Sequence, residues 1–145
     1  MYYNVLMASS VPFSVRLPKE LDEVVTTEAR RTKRSKGSVL VGLAEEAHRM
    51  RRFAGIGFIG DDWDRRAWVM GSGWDVWEVI QGVQAFGSAE ALAREYDALT
   101  AELVALAEAY YDAYPDEIDA LIADNRRPLE AIARENPMFE VLTGD

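Results

Sequence analysis

Residues 13–18 read Phe-Ser-Val-Arg-Leu-Pro, and this short run decides how the first part of the chain can fold. Its apolar side chains recur at every second residue, a spacing that predicts a β-strand, and prolines at positions 12 and 18 bracket it. The residues directly after it predict a helix rather than a second strand, so its backbone N–H and C=O groups have no neighbour there. We therefore expect the pairing strand to come from a second copy of the chain.

Antiparallel pairing of two such strands would sort their side chains onto two faces. Phe13, Val15 and Leu17 would enter a shared core, while Ser14 and Arg16 would appear twice on an exposed polar face. The alternative is an ordinary edge strand within a single chain, which the hexapeptide alone does not exclude.

Charge is distributed unevenly along the 145 residues, whose net charge is −9. Residues 1–52 hold ten Lys/Arg against six Asp/Glu, a charge of +4, and residues 53–145 hold six against nineteen, a charge of −13. An apolar content of 49% is enough for one domain or two small ones. The split predicts an N-terminal part that can bind a polyanion and a C-terminal part that would be repelled by one.

Two helices are predicted after the strand. Residues 19–34 place Leu21, Val24 or Val25, and Ala29 on one side of a helix, with acidic residues near its start and basic residues near its end. Ser35, or alternatively Ser38, is a candidate N-cap for a second helix that ends near residue 52.

Strand, helix, basic turn and helix follow one another over residues 11–52, and this order resembles the ribbon-helix-helix family of dimeric bacterial DNA-binding proteins. The motifs that carry the resemblance are FSVRLP and the turn RSKGS leading into VLVGLAEEA. The family implies that paired strands enter the major groove of operator DNA and that the start of the second helix binds a phosphate. The DNA-binding residues so implied are Ser14, Arg16, Lys33, Arg34, Ser35, Lys36, Gly37 and Ser38.

The remainder predicts a second, helical domain. Residues 53–66 contain three glycines and several aspartates and are interpreted as a linker or a short turn-rich lead-in to the second domain. A short strand is predicted at 66–70, a turn at 71–73, and helices at 75–86, 88–96 and 100–114, with Ser88 and Thr100 as N-caps and Pro115 as a stop. The predicted fold class is mainly α: a ribbon-helix-helix dimerisation and DNA-binding module, followed by a three- to four-helix domain with helix-turn-helix proportions at 67–124.

This second part resembles a small bacterial helical family that accompanies PIN-like toxins in toxin-antitoxin operons. The resemblance covers residues 65–119 and rests on RAWVMGSGWDVWEVIQGV, SAEALAREY and AEAYYDAYPDEID. The family would allow DNA binding by a helix-turn-helix, but the segment 100–114 carries acidic residues and no Lys or Arg, so we expect dimerisation or partner docking instead.

Together the two resemblances imply an antitoxin of a type II system. It would neutralise a cognate toxin, a PIN-like ribonuclease, and repress its own operon by binding operator DNA as a homodimer or a higher oligomer. The alternative is a stand-alone ribbon-helix-helix regulator with an acidic ligand-sensing or oligomerisation domain.

The tail at 125–145 is the candidate segment for contacting the toxin, with packing on its own domain as the equally weighted alternative. The candidate partner-binding residues are Arg126, Arg127, Leu129, Ile132, Arg134, Met138 and Phe139.

Catalysis is not expected, because the chain has no cysteine, one histidine and no nucleophile motif. Asp61, Asp62 and Asp64 could attract a divalent metal, but a solvated turn is the preferred interpretation, and we expect no cofactor and no metal. The sequence predicts a cytoplasmic protein without a membrane span or signal peptide. Residues 1–10 are expected to be flexible, and translation could start at Met1 or Met7.

Overall fold

The computed structural model describes residues 11–125. The predicted flexible N-terminus, residues 1–10, and the predicted partner-binding residues from Arg126 to Phe139 lie outside this range. The part described is mainly helical, with six helices and three short strands. The elements are α1 (Lys19–Thr32), α2 (Lys36–Arg52), β1 (Ile56–Ile59), β2 (Arg66–Val69), β3 (Trp74–Asp75), α3 (Val76–Phe86), α4 (Ala89–Glu95), α5 (Ala101–Ala113) and α6 (Pro115–Asn125).

The chain divides into two compact units between Gly73 and Trp74. The antiparallel hairpin β1-β2 lies in the first unit. The interpretation of residues 53–66 as a linker is wrong, because this segment contains β1 and buries Phe53 and Ile56. Glycines between large apolar residues indicated a loop, but here they lie in and beside a β-hairpin in which Ile56 and Val69 are buried.

Helices α1 and α2 form the helical part of the first unit around a cluster of three buried residues. Val25, Ala29 and Val39 are buried, and Leu17 and Leu40 pack against them. Of the predicted alternatives at the centre of α1, Val25 is the buried one and Val24 is exposed. The apolar cluster that two helices share here is small, so much of their remaining apolar surface stays uncovered.

The hairpin is antiparallel, and its register pairs Ile56 with Val69 and Ile59 with Arg66. This confirms the strand predicted near residue 66. Gly57 in β1 allows a close approach, since a Cβ atom there would lie 2.7 Å from Nε1 of Trp68. A side chain at this position would therefore displace the indole from its place across the hairpin.

The second unit contains four helices, within the predicted three to four. The three helices predicted at 75–86, 88–96 and 100–114 are confirmed to within two residues at each end. Ser88 and Thr100 are N-caps as predicted: their hydroxyls accept hydrogen bonds from the N–H groups of Ala91 and Leu103. α6, which begins at Pro115, was not predicted as a separate element.

Close packing of α3 on α4 depends on a glycine. A Cβ atom at Gly82 would lie 2.8 Å from Cδ1 of Leu92, which is fully buried. On α5, Tyr110 is also fully buried, and its hydroxyl donates a 2.7 Å hydrogen bond to Glu117 of α6. The unit thus combines an apolar centre with a buried phenol whose polar end is satisfied.

Within residues 11–125 no helix has the length and apolar character needed to cross a membrane.

Candidate nucleic-acid interface

The segment before α1 has no regular secondary structure in this single chain. Phe13 and Val15 are 86% and 57% exposed, and the predicted base-contacting residues Ser14 and Arg16 are exposed beside them. Leu17 is half-buried and anchors the segment on the cluster of Val25, Ala29 and Val39. An edge strand within the single chain, the alternative interpretation, is therefore not formed at 13–18, and strand pairing between two chains stays a prediction.

The turn between α1 and α2 is shaped by its backbone. Lys33 ends α1 in the left-handed region, with φ 55°, and the N–H of Arg34 donates to the carbonyl of Ala29 at 3.0 Å. Ser35 is the N-cap of α2, as predicted: its Oγ accepts from the N–H of Ser38 at 3.0 Å. The alternative cap, Ser38, lies inside the helix.

The start of α2 is suited to an anion. Its first turn contains no acidic residue, and the helix dipole gives it partial positive charge. Lys36, Gly37 and Ser38 are all exposed there. The residues that sequence reasoning chose as phosphate contacts are therefore brought together at one accessible helix end.

Two of the predicted phosphate-binding cations already have acidic partners within the chain. Lys36 forms an ion pair with Asp22 of α1. Arg34 lies 3.7 Å from a carboxylate oxygen of Glu28 and stands 5.4 Å from the ring centroid of Trp63. Lys33, by contrast, has no ion pair within residues 11–125. A phosphate would have to compete for the first two cations, and only Lys33 is available without exchange.

The loop between β1 and β2, residues 60–65, is held against both helices by two arginine-carboxylate pairs that sequence reasoning missed. Arg31 of α1 forms a two-point pair with Asp62 of the loop. Arg65 of the loop binds both carboxylate oxygens of Glu46 of α2, at 2.7 and 3.3 Å. We call these two pairs the loop clamp. The acids followed by arginines in DDWDRR were its one signal in the sequence.

The contacts around the loop clamp shift the pKa values of Asp62, of Arg65 and of the neighbouring Glu28. Hydrogen bonding from Arg31 lowers the pKa of Asp62. Burial raises the pKa of Glu28, and the neighbouring Asp62 carboxylate raises it further. Hydrogen bonding to Glu46 raises the pKa of Arg65. Asp62 is thus held as the anion. Glu28, which lies beside the loop clamp, takes up a proton more readily than a free carboxyl does.

The three aspartates weighed as metal ligands are used by the loop itself. Asp61 accepts hydrogen bonds from the backbone N–H groups of Trp63 and Asp64, at 3.2 and 3.1 Å. Asp64 pairs with Arg66 at 3.1 Å. Among the residues described, no group of three potential metal ligands comes together. The loop is best understood as a structural turn that presents Trp63, which is 68% exposed.

The described part of the second unit is strongly acidic. Its described residues, 74–125, contain twelve Asp/Glu and a single basic residue, Arg94. Helix α5, at the place of a recognition helix, carries Glu102, Glu108 and Asp112. Such a surface repels phosphates. The candidate interface is therefore confined to the first unit.

Comparison with known proteins gives no match: no family model matches the chain, and no curated protein or solved structure matches it either.

Proposed function

We propose that this protein is a dimeric DNA-binding antitoxin. In this proposal it binds operator DNA through paired N-terminal strands, represses its own operon, and neutralises a partner toxin of the PIN-like ribonuclease class. Features of the first unit support the DNA-binding part of the proposal, and the two family resemblances support the antitoxin part.

The observation that carries the dimer is the uncovered apolar surface of the first unit. Phe13 and Val15 lie exposed on the segment before α1, and Val24 on α1 is 52% exposed. Val41 and Met50 on α2 are 49% and 42% exposed. Exposed apolar side chains are normal singly, and we take five of them on three successive elements as support for an interface. A second copy would cover this surface and supply the missing strand partner.

The charge of the first unit supports binding to a polyanion. Residues 1–73 hold twelve Lys/Arg against nine Asp/Glu, a charge of +3, whereas residues 74–145 hold four against sixteen, a charge of −12. Arg16 matters most in the proposal, because a guanidinium can donate two hydrogen bonds to the O6 and N7 acceptors of a guanine. Lys33 and the start of α2 would hold the adjacent phosphate.

Gel-shift and sedimentation measurements test the DNA part. The wild-type chain should sediment as a dimer and bind the duplex upstream of its own gene with an affinity that falls as salt rises. Arg16→Ala should weaken that binding by about 1–3 kcal/mol per half-site. Arg94→Ala, which removes the same charge from the second unit, is the matched control and should leave the affinity unchanged. A monomeric chain, or equal effects of the two variants, would contradict the proposal.

Co-expression tests the antitoxin part. The chain should co-purify with the product of the adjacent gene and relieve the growth arrest that this product causes. Failure of both, with DNA binding intact, would leave a transcriptional regulator.

That regulator is the second candidate function, and one observation favours it. The second unit contains a surface pocket of about 400 Å³, which lies within the size range of small-molecule sites. A ligand bound there could control the activity of the DNA-binding unit. Stabilisation of the purified chain by a small molecule, in the absence of a protein partner, would support this candidate.

A further inference from the structure

The pocket of the second unit is walled by aromatic rings. Tyr96 lies between the other two rings: its centroid is 4.9 Å from that of Trp74 at an interplanar angle of 63°, and 6.0 Å from that of Phe86 at 89°. Rings that meet at such angles form adjoining walls rather than a stack. Phe86 and Tyr96 are 43% and 39% exposed, so the walls are accessible from outside.

The charged and polar groups of the pocket favour a cation. Glu78 is the one charged residue in its lining, and Gln81 and Gln84 supply amide groups. The carboxylate of Glu78 is fixed, because its Oε1 accepts a 3.0 Å hydrogen bond from the N–H of Asp75. The described residues of this unit hold a single basic side chain, Arg94, against twelve acidic ones. Their field raises the local concentration of cations and lowers that of anions.

We propose that this pocket binds a small, weakly hydrated organic cation, of the quaternary ammonium type. Aromatic faces attract such a cation through the ring quadrupole, and a carboxylate beside them adds a full negative charge. A primary ammonium donates hydrogen bonds to water oxygens, and aromatic faces cannot accept them as water does. A cation shielded by methyl groups loses no such bonds and therefore fits the aromatic part of this lining best. The inference concerns the second unit alone and does not depend on DNA binding.

Choline and its neutral isostere 3,3-dimethyl-1-butanol are the matched probes. Each is titrated into the full chain at constant ionic strength, and binding is followed by the indole N–H resonances in proton-nitrogen correlation spectra. Choline should shift the Trp74 indole signal in a saturable way, and the neutral alcohol should bind at least about threefold more weakly, as expected for a single exposed cation–π contact.

Two variants distinguish the contribution of the Glu78 charge from that of the Tyr96 ring. Glu78→Gln keeps a side-chain oxygen for the Asp75 N–H but removes the charge, and Tyr96→Leu removes the central ring. Each should weaken choline binding about threefold or more, whereas Glu90→Gln, an exposed acid on α4, should change it little. If the isostere binds as tightly as choline, if neither probe binds up to about 100 mM, or if Glu78→Gln and Glu90→Gln act alike, the proposal is overturned.

Discussion

The loop clamp gives the sharpest quantitative prediction, because one guanidinium makes four hydrogen bonds. Arg65 donates two to Glu46, one to the carbonyl of Gly60 at 2.9 Å and one to the carbonyl of Phe58 at 3.1 Å. Its side chain is 35% exposed and that of Glu46 is 24% exposed. The ion pair is therefore partly screened and contributes about 1 kcal/mol, and the two carbonyl bonds together contribute about 1 kcal/mol more.

These contributions predict unequal effects of removing the two partners. Arg65→Ala should cost about 2 kcal/mol, since it removes the ion pair and both carbonyl bonds. Glu46→Ala should cost about 1 kcal/mol, because Arg65 keeps its carbonyl bonds. The double variant should cost no more than Arg65→Ala alone, which corresponds to a coupling energy of about 1 kcal/mol.

Amide hydrogen exchange in β1 and β2 is the suitable assay, because it reports the opening of the hairpin rather than the unfolding of both units together. The hairpin amides should exchange roughly thirtyfold faster in Arg65→Ala and about fivefold faster in Glu46→Ala, at about 1.4 kcal/mol per tenfold. Arg94→Ala, an exposed arginine of the second unit, should leave these rates within about twofold. Equal effects of Arg65→Ala and Glu46→Ala would refute the contribution of the two carbonyl bonds. Fully additive costs in the double variant would refute the coupling between Arg65 and Glu46.

Three further predictions concern single contacts. Tyr110→Phe should lower the free energy of unfolding of the second unit by about 1–2 kcal/mol, since it removes the hydrogen bond to Glu117 from a buried phenol; urea titration measures it, and an unchanged midpoint would contradict it. Gly60→Ala should open the hairpin loop, because Gly60 has φ +105° and a Cβ atom there would lie 1.9 Å from a backbone carbonyl oxygen; the hairpin amides would then lose protection. Arg31 lowers the pKa of Asp62 below its ordinary 3.8. The pair therefore stabilises the loop above pH 3.8, and this contribution is lost as the pH falls further. In Asp62→Asn, the opening of the hairpin measured by amide exchange should depend less on pH in this acidic range.

Local signals in the sequence predicted most of the helices and their caps. Ser35, Ser88 and Thr100 each precede an apolar periodic run, and each hydroxyl caps the helix that follows it. An N-cap requires contacts over three or four residues only, so neighbouring residues determine it. For the same reason the turn at Gly71 and Gly73, both with positive φ, was predictable.

Long-range pairings were not predictable in the same way. Arg31 and Asp62 are thirty-one residues apart, and nothing near either residue indicates the other. The glycines at 55, 57 and 60 indicated a linker, because sequence alone does not distinguish glycines that permit close packing from glycines that permit flexibility. In β1 the close approach of the cross-strand Trp68 to Gly57 shows that this glycine permits close packing. The candidate interface was likewise chosen as a set of basic residues, and the acids that pair with two of them became apparent only from the fold.

The acidic partners change what DNA binding would require of the first unit. A cation released from Asp22 or Glu28 to bind a phosphate loses one ion pair as it gains another, so Lys36 and Arg34 add less to affinity than their charge suggests. Arg16 and Lys33 form no ion pair within residues 11–125, so neither has to give one up in order to bind a phosphate. Exposed charges interact over only about 8 Å at physiological ionic strength, and this screening applies to the sixteen acids of residues 74–145. In the proposed function, affinity for DNA would be decided by the few cations of the first unit that have no acidic partner within residues 11–125. Specificity would be decided by Arg16, and neither would follow from the net charge of −9.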